Sequence, residues 1–310
     1  MYCLYKGFFM FLNKQLIYWY KKYTPEFLQK LMVSIKPKWF DYYRLDKISK
    51  KNIDFSGHGE TEAVKKFLGI NQNEIKYFVD IGASDGVSSS STLEFAKNDN
   101  WSGLSIEFDK IKFSKMRYVY RKYENIELAN MKVTPETVIK LFEEYDVPFN
   151  FTFMNIDIDS YDLEVLVTIL ENSYKPDIVS IEINEKIPPP IYFKVTYDEK
   201  HFWKGDHFYG CSIMAAVSDL EKFGYKLVEF KLNNAIFVNT NIVTNVKVLD
   251  VFEAYNLGYK NYENRKNLFH YNHDVEVLQE LGEQKALDFI NNLFSEYKNI
   301  YELRIFNNDR

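Results

Sequence analysis

Residues 76–86 read KYFVDIGASDG, an apolar run that stops at a turn containing two glycines. A short and nearly continuous apolar run predicts a strand buried on both faces, as in a parallel sheet. Gly82 and Gly86 let the backbone pass close to a ligand at the carboxyl end of that strand, where open α/β sheets bind ligands. The stretch therefore predicts an α/β fold with a binding site at this strand end.

The same strand-and-helix unit recurs downstream. Further strands are predicted at 104–106, 126–129, 151–156 and 176–183, and helices at 110–123, from 134 onward, at 161–171 and at 212–222. A hairpin is predicted around Asn233-Asn234. This alternation indicates a Rossmann-like, seven-stranded, mostly parallel sheet with helices on both faces. We expect residues 59–240 to form this domain, flanked by helical extensions at 1–58 and 241–310.

Composition narrows the class of protein. The chain has 310 residues and a net charge of −5, with acidic and basic residues interspersed, which argues against a nucleic-acid partner. Its two cysteines, Cys3 and Cys211, make no disulfide framework, so a cytoplasmic setting is the simplest expectation. The apolar run at 7–12 is too short to cross a bilayer. Residues 7–23 are either a helix on a membrane surface or one packed on the main domain.

The chemistry of the first turn favours a cationic ligand. Its glycines are spaced G-x-x-x-G, whereas a dinucleotide site expects G-x-G-x-x-G and a helix N-terminus aimed at a pyrophosphate. Two carboxylates beside the glycines would repel pyrophosphate and suit a sulfonium amino acid. The alternative is a βα turn without a binding role. The candidate donor-binding residues of the turn are Asp80, Gly82, Ala83, Ser84, Asp85 and Gly86.

A second acid, Glu107, closes the next strand 21 residues beyond Gly86. An acid at this place can accept hydrogen bonds from both ribose hydroxyls of an adenosine. Asn130 and Met131 follow the third strand and would then flank the adenine. In the alternative interpretation, Asn130 is only a polar residue of the loop and Met131 a residue of the hydrophobic core.

Three acids follow the fourth strand in NIDIDSYD, residues 155–162. Asp157, Asp159 and Asp162 would repel one another without a cation or protons between them. With Glu182 from the neighbouring strand end, Asp157 and Asp159 offer the hard oxygen ligands that Mg²⁺ or Mn²⁺ requires. In the competing interpretation, Asp157 contacts the donor or the acceptor, while Asp159 and Asp162 cap the next helix.

The loop KHFWKGDHFYG, residues 200–210, is predicted to lie over the same strand ends. A histidine there is a plausible base for a hydroxyl group, because its pKa ordinarily lies near 6.5. His207 is the first choice and His201 the second, although either could be structural. Lys204 or Asp206 could assist the base, and Asp159 could orient the hydroxyl.

In their order along the chain, these segments resemble the FkbM-like family of methyltransferases. The matching segments are FVDIGASDG (78–86), WSGLSIEFD (101–109), VTPET (133–137), MNIDIDSYDLEVL (154–166), IVSIEIN (178–184) and residues 209–238. The resemblance covers roughly residues 60–240. It departs from the common family pattern at Ser160, where glycine is more usual. It implies a class I methyltransferase fold, S-adenosylmethionine as methyl donor, and O-methylation, often of a sugar in a glycan.

Two rival functions remain at this point. A nicotinamide-dependent oxidoreductase would also use an acid at the second strand end, but the G-x-G-x-x-G motif of such enzymes is absent from this turn. A non-catalytic binding module could keep the fold. Against it, gathering acidic side chains at three strand ends costs electrostatic free energy, which argues for a functional role.

Overall fold

The described part of the chain comprises residues 38–68, 76–98, 100–241 and 245–307 of a computed structural model. The expectation for residues 7–23 lies outside these ranges. The chain divides into two compact units, Met1–Lys47 and Ile48–Arg310. None of the described helices is long and apolar enough to cross a membrane.

Strands and helices alternate through most of the chain. The strands are β1 (Tyr77–Ile81), β2 (Ser102–Ile106), β3 (Ile126–Ala129), β4 (Asn150–Ile156), β5 (Lys175–Glu182), β6 (Ile191–Val195), β7 (Tyr225–Lys231), β8 (Asn234–Asn239) and β9 (Tyr301–Ile305). The α-helices are α1 (Lys38–Ser49), α2 (Glu60–Leu68), α3 (Leu93–Ala96), α4 (Lys110–Tyr120), α5 (Val138–Glu144), α6 (Asp162–Glu171), α7 (Ile213–Glu221), α8 (Val251–Tyr255), α9 (Arg265–Leu268) and α10 (Glu283–Leu293).

Seven strands form one sheet in the order β3-β2-β1-β4-β5-β8-β7. The pairs β1–β2, β2–β3, β1–β4 and β4–β5 are parallel, while β8 is antiparallel to both β5 and β7. This order, with one antiparallel strand placed next to the edge, is that of the class I methyltransferase sheet. The predicted fold class is confirmed.

The central strands are buried on both faces, as their apolar sequences predict. Within β1, Phe78 and Val79 are fully buried, and so are Phe153 and Met154 of β4. Parallel sheets with helices on both faces require such continuous apolar strands. The predicted helix at 212–222 is also present: Ser212 is its N-cap, and its hydroxyl accepts a hydrogen bond from the backbone N–H of Ala215 at 3.2 Å.

The predicted hairpin turn is displaced by one residue, and the start of the helix predicted from Thr134 is displaced by four. The hairpin turn consists of Leu232 and Asn233, because Lys231 pairs with Asn234, so the predicted Asn233-Asn234 turn was one residue off. Leu232 adopts a φ of 58°, and its side chain is buried in the core. The helix predicted from Thr134 begins at Val138, because the Thr134 and Thr137 hydroxyls hydrogen-bond to each other and hold a turn first.

The C-terminal region differs most from expectation. It is mainly helical, but it ends in β9, which pairs antiparallel with β6 in a separate two-stranded sheet. The domain boundaries expected at 58 and 240 stay predictions. The described residues of 245–307 belong to the same compact unit as the seven-stranded sheet. Buried side chains of the tail explain this, since Ala254, Ile290 and others join the same hydrophobic core.

Candidate active site

A cavity of about 560 Å³ opens at the carboxyl ends of the parallel strands. It lies where the strand order reverses between β1 and β4, the usual ligand site of doubly wound sheets. Its lining includes the turn after β1, the end of β2, the loop after β4 and the β7–β8 turn. Because the fold brings these four segments together, the cavity gathers most of the residues singled out from the sequence.

Gly82 is required by a close approach of two chain segments. It has a φ of 91°, and a Cβ placed on it would lie 1.7 Å from the carbonyl oxygen of Asp157. No side chain fits there. Gly82, Ala83 and Ser84 all line the cavity, and the backbone N–H of Gly82 donates to the carbonyl of Ile106 at 3.0 Å. The close approach seen here is to the chain after β4, and the predicted approach of the turn to a ligand stays a prediction.

Asp85 and Gly86 are not among the residues lining the cavity, and their contact with the donor stays a prediction. Asp85 instead accepts hydrogen bonds from the backbone N–H groups of Val87 (3.0 Å) and Ser88 (2.7 Å). A Cβ on Gly86 would lie 2.8 Å from Met116 of α4. Both residues shape the turn and its packing on the helix.

Asp80 forms part of the cavity wall, and only 2 % of its surface is exposed. Its carboxylate accepts hydrogen bonds from the Thr92 hydroxyl at 2.6 Å and the Asn155 amide at 2.9 Å. Burial nevertheless raises the pKa of Asp80. The two donors fix the direction of the carboxylate at the base of the turn.

Glu107 links the end of β2 to the turn after β1. Its Oε2 accepts the backbone N–H of Ser84 at 2.8 Å, and its Oε1 accepts that of Asp109 at 2.6 Å. Asn130 is not in the cavity lining, because its amide donates to the carbonyl of Glu107 at 2.7 Å and supports the strand end. Met131 lines the cavity and is 38 % exposed, so it is not a core residue.

Asp157, Asp159 and Glu182 come together as predicted. Each offers a carboxylate oxygen, and the three oxygens lie within 4.8 Å of one another. Glu182 Oε1 accepts from the amide of Asn233 at 3.0 Å, whereas Oε2 is buried and has no hydrogen-bond partner within the described ranges. Burial and the repulsion of the neighbouring acids raise the pKa of Glu182 well above the usual range, and burial also raises that of Asp159. The pKa of Asp157 is raised as well, and because its side chain is exposed we attribute this to the neighbouring acids.

Asp162 holds the loop after β4 and is not part of the three-acid cluster. It is fully buried and accepts hydrogen bonds from the backbone N–H groups of Ile158 (2.7 Å) and Ser160 (3.0 Å). These bonds close the loop that carries the acids, while burial raises the pKa of Asp162 to about 6. Asp159, with a φ of 56°, makes no capping bond to α6. The helix-capping interpretation is therefore wrong for Asp159.

The loop at 200–210 contributes His201, Phe202 and Trp203 to the cavity. His207 and Lys204 are not among the lining residues, and their roles as base and assistant stay predictions. His207 Nε2 lies 3.1 Å from Asp274 Oδ1, and the Lys204 ammonium lies 5.2 Å from the centre of the Tyr297 ring.

The cause of this placement is aromatic packing. Phe208 stacks on Tyr297 with ring centres 4.0 Å apart, and Asp206 accepts a hydrogen bond from the Tyr297 hydroxyl. These contacts hold residues 204–208 against the C-terminal tail. Only the first part of the loop is left to line the cavity.

Several lining residues were not singled out from the sequence as site residues, among them His58, Glu60 and Asn155. His58 lies just before α2 and Glu60 begins it, and neither belongs to a motif. Asn155 lies within the quoted motif, two residues before Asp157. Its hydrogen bond to Asp80 depends on the β1–β4 pairing, in which the two residues are direct neighbours.

No protein-family profile and no curated protein matches this chain. Among solved structures, one match is the N-terminal domain of EvdMO1, solved in the presence of SAH and D-fucose (12 % identity, TM-score 0.38, 66 % of this chain and 96 % of that one). A candidate O-methyltransferase from Klebsiella pneumoniae has 12 % identity and a TM-score of 0.39, covering 72 % and 94 % of the two chains.

A SAM-dependent methyltransferase from Aquifex aeolicus has 14 % identity and a TM-score of 0.36, covering 64 % of this chain and 97 % of its own. These overall similarities are low. The fold assignment therefore rests on the strand order described above, and membership of the FkbM-like family stays a prediction.

Proposed function

We propose that this protein is an S-adenosylmethionine-dependent methyltransferase that methylates a sugar hydroxyl of a glycan or glycan precursor. One observation carries the proposal: the Gly82–Ser84 turn, Asp80 and Glu107 line one cavity at the β1/β4 switch point of a class I methyltransferase sheet. There the Glu107 carboxylate and the exposed backbone of the turn face the same space.

The charge of the cavity suits a cationic donor. Its described lining contains seven carboxylate side chains and two lysines, Lys112 and Lys132. A sulfonium is attracted to such a surface, whereas the pyrophosphate of a nicotinamide cofactor is repelled. When bound, the donor supplies a methyl group on positively charged sulfur. The protein holds the donor and orients the acceptor oxygen in line with the methyl group.

Two features of the lining favour a sugar as acceptor. Phe108, Phe202 and Trp203 are 56 %, 53 % and 43 % exposed, so their rings are open to the apolar face of a sugar. The same lining includes the side-chain amides of Asn233 and Asn234, a group that both donates and accepts hydrogen bonds with hydroxyls.

The acid cluster fits a divalent cation. Three carboxylate oxygens within 4.8 Å match the hard ligands of Mg²⁺ or Mn²⁺, and Glu182 Oε2 is buried without a partner in the described ranges. Asp157, Asp159 and Glu182 would hold the ion. A bound ion would lower the pKa of a nearby acceptor hydroxyl. The Asp159 carboxylate, half-buried at the cavity wall, would also orient that hydroxyl.

Calorimetric titration with S-adenosylhomocysteine, with NAD as control ligand, tests the donor class. We expect saturable binding of S-adenosylhomocysteine alone. Glu107→Ala should weaken it about 10-fold or more, the loss expected for charged hydrogen bonds. Glu124→Ala, in an exposed turn before β3, is the matched control and should bind like the wild type. Binding of NAD, or of neither ligand, would overturn the proposal.

Methyl transfer is then measured with radiolabelled S-adenosylmethionine and a panel of methyl glycosides. Product on at least one glycoside supports the acceptor class. Donor binding without any transfer would favour the non-catalytic module. For the metal, we expect Mn²⁺ binding in solution by electron paramagnetic resonance, lost in Asp159→Asn but kept in Asp198→Asn. Equal binding by both variants would remove the metal from the proposal.

A further inference from the structure

The short segment Ser56–Thr61, which runs into the first turn of α2, lines one side of the cavity. Ser56 forms an isolated parallel β-bridge with Ser89, and the Thr61 hydroxyl donates to the carbonyl of Ser91 at 3.3 Å. Both partners follow the glycine turn after β1. The segment is therefore attached at one end to the proposed donor side of the site.

Its other attachment is to the β7–β8 hairpin. Glu60 is 4 % exposed, and its Oε1 accepts a hydrogen bond from the amide of Asn234 at 2.7 Å. The same carboxylate accepts the backbone N–H of His58 at 2.9 Å, which fixes the chain at His58. The segment thus spans from the donor turn to the wall that carries Asn233 and Asn234.

His58 is the residue that this segment presents to the cavity. It lines the cavity and is half-buried, and its ring centre lies 6.1 Å from that of Phe269. Within the described ranges no residue hydrogen-bonds to its imidazole, so a ring nitrogen is open to a ligand. Burial lowers the pKa of His58 below 6.5; Glu60 and Glu185 oppose this and Lys231 adds to it. A neutral imidazole can accept a proton at neutral pH.

The other histidines are less suitably placed to act as a base in the cavity. His201 also lines the cavity, but it is 7 % exposed, and its Nε2 is buried and cannot reach a ligand. His207 pairs with Asp274. His270 is exposed, and neither it nor His273 is among the lining residues.

We propose that His58 is the general base that removes the proton from the acceptor hydroxyl; this rests on the methyltransfer function proposed above. As the acceptor oxygen bonds to the methyl carbon, the carbon–sulfur bond breaks and its electron pair stays on sulfur. The hydroxyl proton passes to the imidazole, which later releases it to solvent through the cavity opening. Charges and atoms balance, because the donor loses its positive charge as the imidazole gains one.

The deciding experiment uses ¹⁵N NMR of the histidine rings in the full chain, with His58 assigned through His58→Gln. Spectra are titrated with pH in saturating S-adenosylhomocysteine and in sinefungin, which carries a protonated amine where the donor carries its methyl-bearing sulfonium. A charge near His58 should make its pKa at least ~0.3 pH units lower with sinefungin. His270 is the control and should titrate alike with both ligands.

An equal His58 pKa in the two complexes would overturn the assignment while leaving the methyltransferase proposal intact. Failure of both ligands to bind would instead overturn the function itself. In the transfer assay, His58→Ala should lower kcat about 100-fold or more, with partial rescue by added imidazole, and His270→Ala should be unaffected. A His58→Ala variant that keeps full kcat and the wild-type pH profile also refutes the role.

Discussion

At the scale of single residues, Asp157 and Glu182 hold two carboxylates in an unfavourable arrangement. Their pKa values are raised in the folded protein by burial, above all of Glu182, and by the neighbouring acids. The folded state therefore binds protons at this pair more readily than the unfolded state. Without a cation, the pair's contribution to stability is fully present below the ordinary carboxyl pKa near 4 and is lost as pH rises through the raised pKa values.

Glu182→Gln should reduce this pH dependence, because Asp157 then has one acidic neighbour fewer. The glutamine carbonyl can still accept from Asn233, and its amide can donate to Asp157 in place of the unpartnered oxygen. In EDTA, we expect the variant to melt higher than the wild type at pH 8 by about 3 °C, which corresponds to about 1 kcal/mol. At pH 5 the difference should shrink, because the wild-type pair then holds a proton.

Thermal unfolding followed by circular dichroism at both pH values makes this measurement. Glu171→Gln, at the exposed end of α6, is the matched control and should melt like the wild type throughout. If Glu182→Gln instead destabilises the metal-free protein equally at pH 5 and pH 8, the carboxylate is structurally required and the charge argument is wrong.

At the scale of elements, an aromatic cluster attaches the cavity loop to the C-terminal tail. Phe294 is 2 % exposed and packs against Phe193 of β6, with ring centres 5.3 Å apart, and against Phe208, at 5.1 Å. Phe294→Ala should cost about 3 kcal/mol through lost packing and the cavity left behind. Because the loop would lose its support, methyl transfer should fall more than S-adenosylhomocysteine binding.

Denaturant unfolding and calorimetry, each on the same variants, measure the two effects. Phe252→Ala on α8 is the control: that ring is 51 % exposed, so its removal should change stability by less than about 0.5 kcal/mol. Equal losses of transfer and of donor binding in Phe294→Ala would show that the cluster supports the whole site, not the loop alone.

Elements that are marked by a local sequence pattern could be predicted, whereas elements that depend on contacts between distant residues could not. The central strands β1, β4 and β5 were predictable, because each is a compact apolar run bounded by its own turn. By contrast, β6 and β9 were not, since Ile191–Val195 finds its partner at Tyr301–Ile305, more than 100 residues away. The same reason applies to the site. Glu107 and the acids belong to local motifs, whereas His58 is brought to the cavity by contacts of its neighbours Ser56 and Glu60 with distant residues.

At the scale of the whole molecule, the tail and the seven-stranded sheet share one hydrophobic core. Ala286 and Ile290 of α10 are buried in the same cluster as Val79 of β1. Elements that share a core open together. Hydrogen exchange followed by mass spectrometry should therefore give peptides from α10 and from β1 similar opening free energies. Exchange of α10 within seconds, beside a protected β1, would mean that the tail is an independent layer.

The antiparallel strand β8 also has a consequence for redesign. Because β8 returns beside β5, Asn233 of the β7–β8 turn lines the cavity at the same end as the donor turn, while Leu232 stays in the core. Lengthening a loop costs little, about 0.6 kcal/mol for each doubling of its length. A library of insertions after Asn233 would therefore diversify the acceptors accepted while the β1 turn and Glu107 stay as they are.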